Sequence, residues 1–147
     1  HDFNEGEFNQ LVYWMSRDII DDYPLDLISP VDWTDETQNI NDRVRSYLDV
    51  NCGHCHSPTG NANSTGLYLH LNETRDIHLG VNKKPVATGR GSGGMKYSIV
   101  PGKPEESILL HRMISLDPGV MMPESGRALS HTEAVDMVRS WILLMKE

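Results

Sequence analysis

The sequence contains little cysteine and no long apolar run. Only two of its 147 residues are cysteines, Cys52 and Cys55, which excludes a fold held together by several disulfides. Hydrophobic residues make up 38% of the chain, less than in an ordinary globular domain, and this predicts a small core. No apolar run approaches the roughly 20 residues that cross a bilayer as a helix, so we expect no membrane span.

Basic residues are also few. The chain has 13 Lys and Arg against 21 Asp and Glu, a net charge of −8, and its longest basic run is the pair Lys83-Lys84. Nucleic acids and anionic membranes are bound by basic faces, so we expect neither as a partner. The acidic surplus either attracts a partner with a basic patch or simply keeps the protein soluble.

Apolar residues recur at helical spacing in four segments. The first covers residues 7–20, and the second begins at residue 41 or 42, with Asn41 as its N-cap. A third helix is predicted after Pro104, and a fourth is predicted to begin with the capping box of Ser130 and Glu133. The pattern is that of an all-α protein with about three to five helices.

Long loops separate these helices. Glycine, proline and small polar residues predict irregular backbone over residues 57–66, 80–104 and 117–129. Alternating leucines over residues 67–71 predict a short strand or extended piece. We expect residues 1–37 to form a helical N-terminal extension that packs on a main domain of residues 38–147.

The two cysteines belong to Cys52-Gly53-His54-Cys55-His56. C-x-x-C-H is the attachment signature of c-type haem. Two thiols at this spacing reach the two vinyl groups on one edge of the porphyrin, and the next residue then lies under the iron. We therefore expect Cys52 and Cys55 to be the thioether anchors and His56 to be an iron ligand.

A second iron ligand is expected from a distant part of the chain. Methionine opposite histidine suits electron-transfer haem proteins, because a thioether raises the reduction potential. Met121 and Met122 lie in a loop before the last helix, where Pro123 stiffens the backbone. We favour Met122 over Met121, and at least one of the pair must fill the core. The other candidates are Met95, Met113, His111 and His131.

The two propionates of a haem also need polar partners, and charge-assisted hydrogen bonds to carboxylates are strong. Arg90, Lys96 and Tyr97 in the glycine-rich segment are candidates, and Trp33 and Trp141 could serve equally. The alternative for each residue is a solvated loop position or a packed aromatic ring.

The order of these features resembles the class I cytochrome c domain. A helix, C-x-x-C-H, a long loop, Met122-Pro123 and a terminal helix with Trp141 follow one another from about residue 40 to the end. The resemblance implies a class I fold around one covalent haem c, with His56 and Met122 as axial ligands and Pro101 lining the haem crevice with its two neighbours. Glu124 departs from the pattern, since many such domains have a second proline there.

Val50-Asn51-Cys52 and Pro101-Gly102-Lys103-Pro104 are similar to haem domains at the end of larger exported bacterial redox proteins. Some of those proteins are linked to oxidative polysaccharide breakdown. The resemblance implies an electron-transfer protein rather than an enzyme, periplasmic or secreted, and we expect a monomer. The implied partners are redox proteins with a basic docking patch, among them a copper polysaccharide oxygenase or a fused oxidoreductase.

Three alternatives explain the motif differently. A dithiol oxidoreductase uses C-x-x-C after a strand, at the start of a helix, whereas this motif follows a helical segment. A zinc site is disfavoured because the ligands are too close together and have no second pair. A haem enzyme or sensor would leave one axial position open, and the availability of Met122 argues against that.

Overall fold

The computed structural model describes residues 2–3, 6–24, 27, 29–86 and 88–146. Over these ranges the fold is helical, and its α-helices are α1 (Gln10–Ser16), α2 (Ile40–Leu48), α3 (Asp76–Leu79), α4 (Ile108–Ile114) and α5 (Thr132–Leu144). Two short antiparallel strands, β1 (Asp2–Phe3) and β2 (Gly6–Glu7), pair near the N-terminus. In the described part of the chain, no helix is both long enough and apolar enough to cross a membrane. The architecture agrees with the predicted all-α class.

The core lies where α2 and α4 pack against α5. Apolar residues of these helices meet there at spacings of three and four, and two residues of the irregular segments join them. Fully burying such a side chain stabilises the fold by about 1.5–3 kcal/mol. Among the described residues, the hydrophobic side chains with 1% exposure or less are Val44, Leu48, Leu69, Ile99, Leu110, Ala134, Val138 and Ile142.

The predicted helices α4 and α5 are confirmed, but two predicted caps are wrong. Helix α2 begins at Ile40, because the Asn39 side chain already accepts the backbone N–H of Asn41 at 2.8 Å. The Asn41 side chain instead accepts a hydrogen bond from Trp141 Nε1 at 3.1 Å. This partly buried bond ties α2 to α5.

The capping box at the start of α5 is also absent. The helix begins at Thr132, with no side-chain cap at the preceding His131. The Ser130 hydroxyl donates to the carbonyl of Met113 at 3.2 Å, and so it is engaged by α4 instead. A tertiary hydrogen bond has replaced the local one.

The N-terminal extension meets α2 through residues 31–33. Ser46 Oγ donates to the carbonyl of Val31 at 2.5 Å, and Arg43 Nε donates to the carbonyl of Trp33 at 2.7 Å. Helix α1 is shorter than the predicted segment 7–20 and has no buried residue in the described part of the chain.

A buried carboxylate organises the start of α3. Both oxygens of Glu73 accept hydrogen bonds from the Arg75 guanidinium at 2.8 Å, and the backbone N–H groups of Thr74 and Arg75 also donate to Oε1. His78 Nδ1 lies 3.2 Å from Oε2. The hydrogen bonds from Arg75 hold the pKa of Glu73 well below its ordinary value of 4.5, although burial opposes the shift.

We expect Glu73→Gln to destabilise the protein at neutral pH by about 1 kcal/mol, since solvent screens the largely exposed Arg75. The folded-state pKa is depressed, so the stabilisation is complete above the ordinary pKa and is lost as pH falls towards the folded value. The difference between wild type and variant should therefore shrink in acid, as measured by urea unfolding at neutral pH and at about pH 3. Glu106→Gln, in an exposed pair with Lys103, is the control and should change little. A pH-independent difference would contradict this account.

Candidate cofactor site

Helix α2 continues directly into the C-x-x-C-H motif. A π-helical turn, Asp49–Gly53, follows Leu48 and carries Cys52. The backbone N–H groups of Cys55 and His56 both donate to the Cys52 carbonyl, at 3.1 and 2.8 Å. The motif is therefore helical, and residues three and four positions apart share a face of a helix. Cys52, Cys55 and His56 lie on one side as a result.

That side faces a large cavity of about 870 Å³, within the range typical of small-molecule and cofactor sites. Cys52, Cys55, His56 and Met122 all line it, whereas Met121 does not. Three residues of the motif and one residue of the loop between α4 and α5 thus line the same cavity. Of the other candidate ligands, Met113 and His131 also line the cavity, and Met95 and His111 do not.

The residues present fit a covalent haem. Both cysteines are free thiols. The buried Nδ1 atom of His56 makes no hydrogen bond within the described residues. Apolar side chains of Leu67, Leu109 and other residues complete the wall. An iron held by one imidazole and one thioether needs no cluster of His, Cys, Asp and Glu, and no group of three or more that could hold a metal occurs in the described ranges.

The pKa shifts of Cys52 and His56 suit metal binding by the imidazole better than thiol–disulfide exchange by the cysteines. Burial, together with the charge of Cys55, raises the pKa of Cys52 to about 12. A reactive dithiol needs a lowered pKa, which a helix N-terminus provides, whereas Cys52 follows the C-terminal end of α2. Burial also lowers the pKa of His56, against an opposing contribution from the Leu67 backbone. This favours the neutral imidazole that binds metals.

The loop before Leu69 supports the motif from the other side. The backbone N–H of Leu69 donates to the His56 carbonyl at 2.8 Å, and the backbone N–H of Tyr68 donates to the His78 carbonyl at 2.7 Å. The segment from residue 67 to 69 has no regular secondary structure, so of the two predicted alternatives, a short strand or an extended piece, the strand is absent. Its hydrogen bonds go to the motif and to α3 rather than to a partner strand.

No protein-family model, curated protein or solved structure matches this chain.

Four residues predicted to contact the cofactor lie outside the cavity lining: Arg90, Tyr97, Pro101 and Trp141. Arg90 instead pairs with Asp117 at 2.9 Å on the surface. The Tyr97 ring lies 5.0 Å from the Lys96 ammonium, beside a separate shallow depression. Trp141, on α5, is buried and donates a hydrogen bond to Asn41 of α2. Pro101 is buried next to residue 102, whose N–H donates to the carbonyl of Ile142. The structure brings none of the four to the site, because their tertiary contacts direct them elsewhere.

Two other arginines line the cavity and were missed from the sequence. Arg112 is on α4, and Arg127 follows the Met122 segment. Tyr47 also reaches the wall, with its hydroxyl 3.1 Å from His131 Nδ1. The only feature of the sequence that could have indicated these two arginines is their position, since they flank the methionine pair.

Proposed function

We propose that this chain is a mono-haem c-type cytochrome domain that passes single electrons between redox partners. One observation carries the proposal. Cys52, Cys55 and His56 share a helical face, and Met122 lies on the wall of the same cavity of about 870 Å³. Two thiols, an imidazole and a thioether are the donor set of a covalent haem with His/Met ligation.

Each residue has a distinct role in this proposal. A bound haem supplies one-electron iron chemistry. The sulfur atoms of Cys52 and Cys55 would hold the porphyrin covalently, and the His56 imidazole and the Met122 thioether would bind its iron. Apolar wall residues such as Leu109 exclude water and lower the local dielectric, which tunes the potential.

The position of Met122 also favours electron transfer over the alternative of a haem enzyme or sensor. An enzyme of that kind keeps one axial position free, whereas a thioether on the cavity wall can fill it. The net charge of −8 suits brief, small-area docking with basic redox proteins.

The resemblance to exported bacterial haem domains adds location and pathway to the proposal. Covalent haem attachment in bacteria takes place outside the cytoplasmic membrane, so the protein would be periplasmic or secreted. A copper polysaccharide oxygenase is the proposed acceptor in oxidative polysaccharide breakdown. Measured electron transfer to such an oxygenase would support this pathway, and no reduction would contradict it without affecting the haem assignment.

The test of the central proposal is an absorption spectrum of the ferric and the dithionite-reduced protein, produced in a host that matures c-type haem. We expect sharp split bands on reduction, a weak far-red band in the ferric state, and colour that stays with the protein in acid–acetone. Met122→Ala should lose the far-red band completely, because the thioether ligand is gone. Met121→Ala is the matched control and should keep it, since Met121 lies outside the cavity lining.

Colourless wild-type protein from such a host would overturn the proposal. The dithiol Cys52–Cys55 would then be the remaining candidate, and its reduction potential would be the next measurement. If Met121→Ala lost the band and Met122→Ala kept it, the sulfur ligand would be reassigned to Met121.

A further inference from the structure

Residues 117–127, which we call the Met122 loop, run beside the C-terminal half of α4. The backbone N–H of Met122 donates to the carbonyl of Arg112 at 2.9 Å. The Arg112 side chain reaches the same loop, because its Nε donates to the carbonyl of Val120 at 2.8 Å. One residue of α4 thus holds the loop at two points, two residues apart.

Arg127, at the far end of the loop, reaches back in the opposite direction. Its Nη1 and Nη2 donate to the carbonyls of Met113 and Ser115. These carbonyls lie at the end of α4, where carbonyls lack partners within the helix and attract cationic donors. The two arginines therefore cross between helix and loop, one on each side of Met122.

The position of Arg112 depends on a glycine. Gly91 is buried, and a Cβ added there would lie 3.2 Å from the guanidinium carbon of Arg112, closer than ordinary contact. Burial lowers the pKa of Arg112, an effect that Glu124 opposes, and an arginine remains charged at neutral pH. Hydrogen bonds from charged donors are stronger than neutral ones, so each bond matters to the position of the loop.

We infer that Arg112 and Arg127 are positioning residues for Met122, which hold its thioether at the cavity wall by fixing the backbone on both sides. The inference rests on the proposed function, in which Met122 is an iron ligand. These bonds hold the loop against α4, so a variant that lacks one of them should let Met122 leave the cavity wall more easily. A competing ligand should then displace Met122 more easily, because less free energy is lost when the loop moves.

The test uses holo-protein carrying Arg112→Gln or Arg127→Gln, and imidazole as a competing ligand for ferric iron. A hydrogen bond from a charged group corresponds to roughly a 10- to 100-fold change in an equilibrium constant. We expect each variant to bind imidazole about 10- to 100-fold more tightly and to show a weaker far-red band. Arg139→Gln removes the same charge from α5, outside the cavity lining, and should match wild type.

Gly91→Ala is the second variant, because it keeps both arginines and displaces only the Arg112 guanidinium. It should bind imidazole more tightly than wild type, as Arg112→Gln should. If the arginine variants do not fold, this variant alone tests the positioning role. Amide hydrogen exchange at Met122 should be faster in each folded variant, since its N–H donates to the backbone carbonyl of residue 112 and this bond breaks when the loop moves away from α4.

The outcomes separate the two proposals. Wild-type protein that lacks covalent haem or the far-red band overturns the proposed function, and this inference falls with it. Wild-type protein that has both, with variants that bind imidazole as wild type does, overturns the positioning role alone. If Arg139→Gln also bound imidazole more tightly, the positioning role would be overturned. The effect would then come from the loss of a positive charge rather than from the position of the arginine.

Discussion

Cys52→Ser combined with Cys55→Ser is expected to give protein from which acid–acetone removes all haem. The two thiols share one helical face at the cavity wall, so both covalent bonds depend on this pair. Intact mass would show the polypeptide alone. We also expect circular dichroism to show a substantial loss of helix, because the proposed haem would fill the cavity of about 870 Å³ lined by residues of α4, the motif and the Met122 loop.

Each single serine variant should retain one covalent bond and therefore a coloured polypeptide. Ser57→Ala is the control, since Ser57 directly follows the motif but does not line the cavity. It should match wild type in mass and colour. A double variant that kept haem through acid–acetone would show attachment elsewhere and would refute the role of both cysteines. A colourless double variant with unchanged helix would refute only the role of haem as core.

The second large effect is expected from Gly60→Ala. A Cβ at residue 60 would lie 2.2 Å from the carbonyl oxygen of Cys55 and 2.8 Å from that of His54. Both are backbone atoms of the motif. The turn is further held by the N–H of Ala62, which donates to the Cys55 carbonyl at 3.0 Å. Relieving the overlap must shift the motif itself, so we expect a loss of about 3 kcal/mol in unfolding free energy.

Gly119→Ala is the matched control, because its Cβ would also lie 2.2 Å from another atom, Arg90 Nη2. That atom ends an exposed, flexible side chain that can rotate away, so the cost should stay within about 0.5 kcal/mol. Guanidinium unfolding of both variants in the holo-protein measures the difference. Equal losses of unfolding free energy in the two variants would contradict the prediction, because the motif backbone around Gly60 would then adjust as easily as a surface side chain. The yield of covalent haem should fall in Gly60→Ala alone.

The elements that the sequence predicted well depend on local patterns. Apolar residues at spacings of three and four predicted α4 and α5, and both are present. Glycine and proline predicted the irregular segment between residues 80 and 104, which holds only short 3₁₀ turns and isolated bridges in its described part. The motif from Cys52 to His56 specified its chemistry by residue type and spacing alone.

The local sequence patterns predicted the wrong helix caps where more than one hydrogen-bonding partner was available. Asn39 and Asn41 are both suitable N-caps; in the structure Asn39 caps α2, while the side chain of Asn41 accepts a hydrogen bond from Trp141. Ser130 could cap α5, but the end of α4 offers it the carbonyl of Met113. These choices depend on residues up to 100 positions away, which a window of sequence does not contain.

The sequence by itself determined the all-α class, the donor atoms and the choice of c-type haem as the expected cofactor, because these follow from short-range spacing and side-chain chemistry. Tertiary structure alone decided which residues share the cavity. It placed Arg112 and Arg127 rather than Arg90 on the wall, together with Met122, which the sequence had already favoured over Met121. The reason is that cavity membership depends on how α4 and its following loop pack against the motif, and that packing is set by contacts between distant parts of the chain.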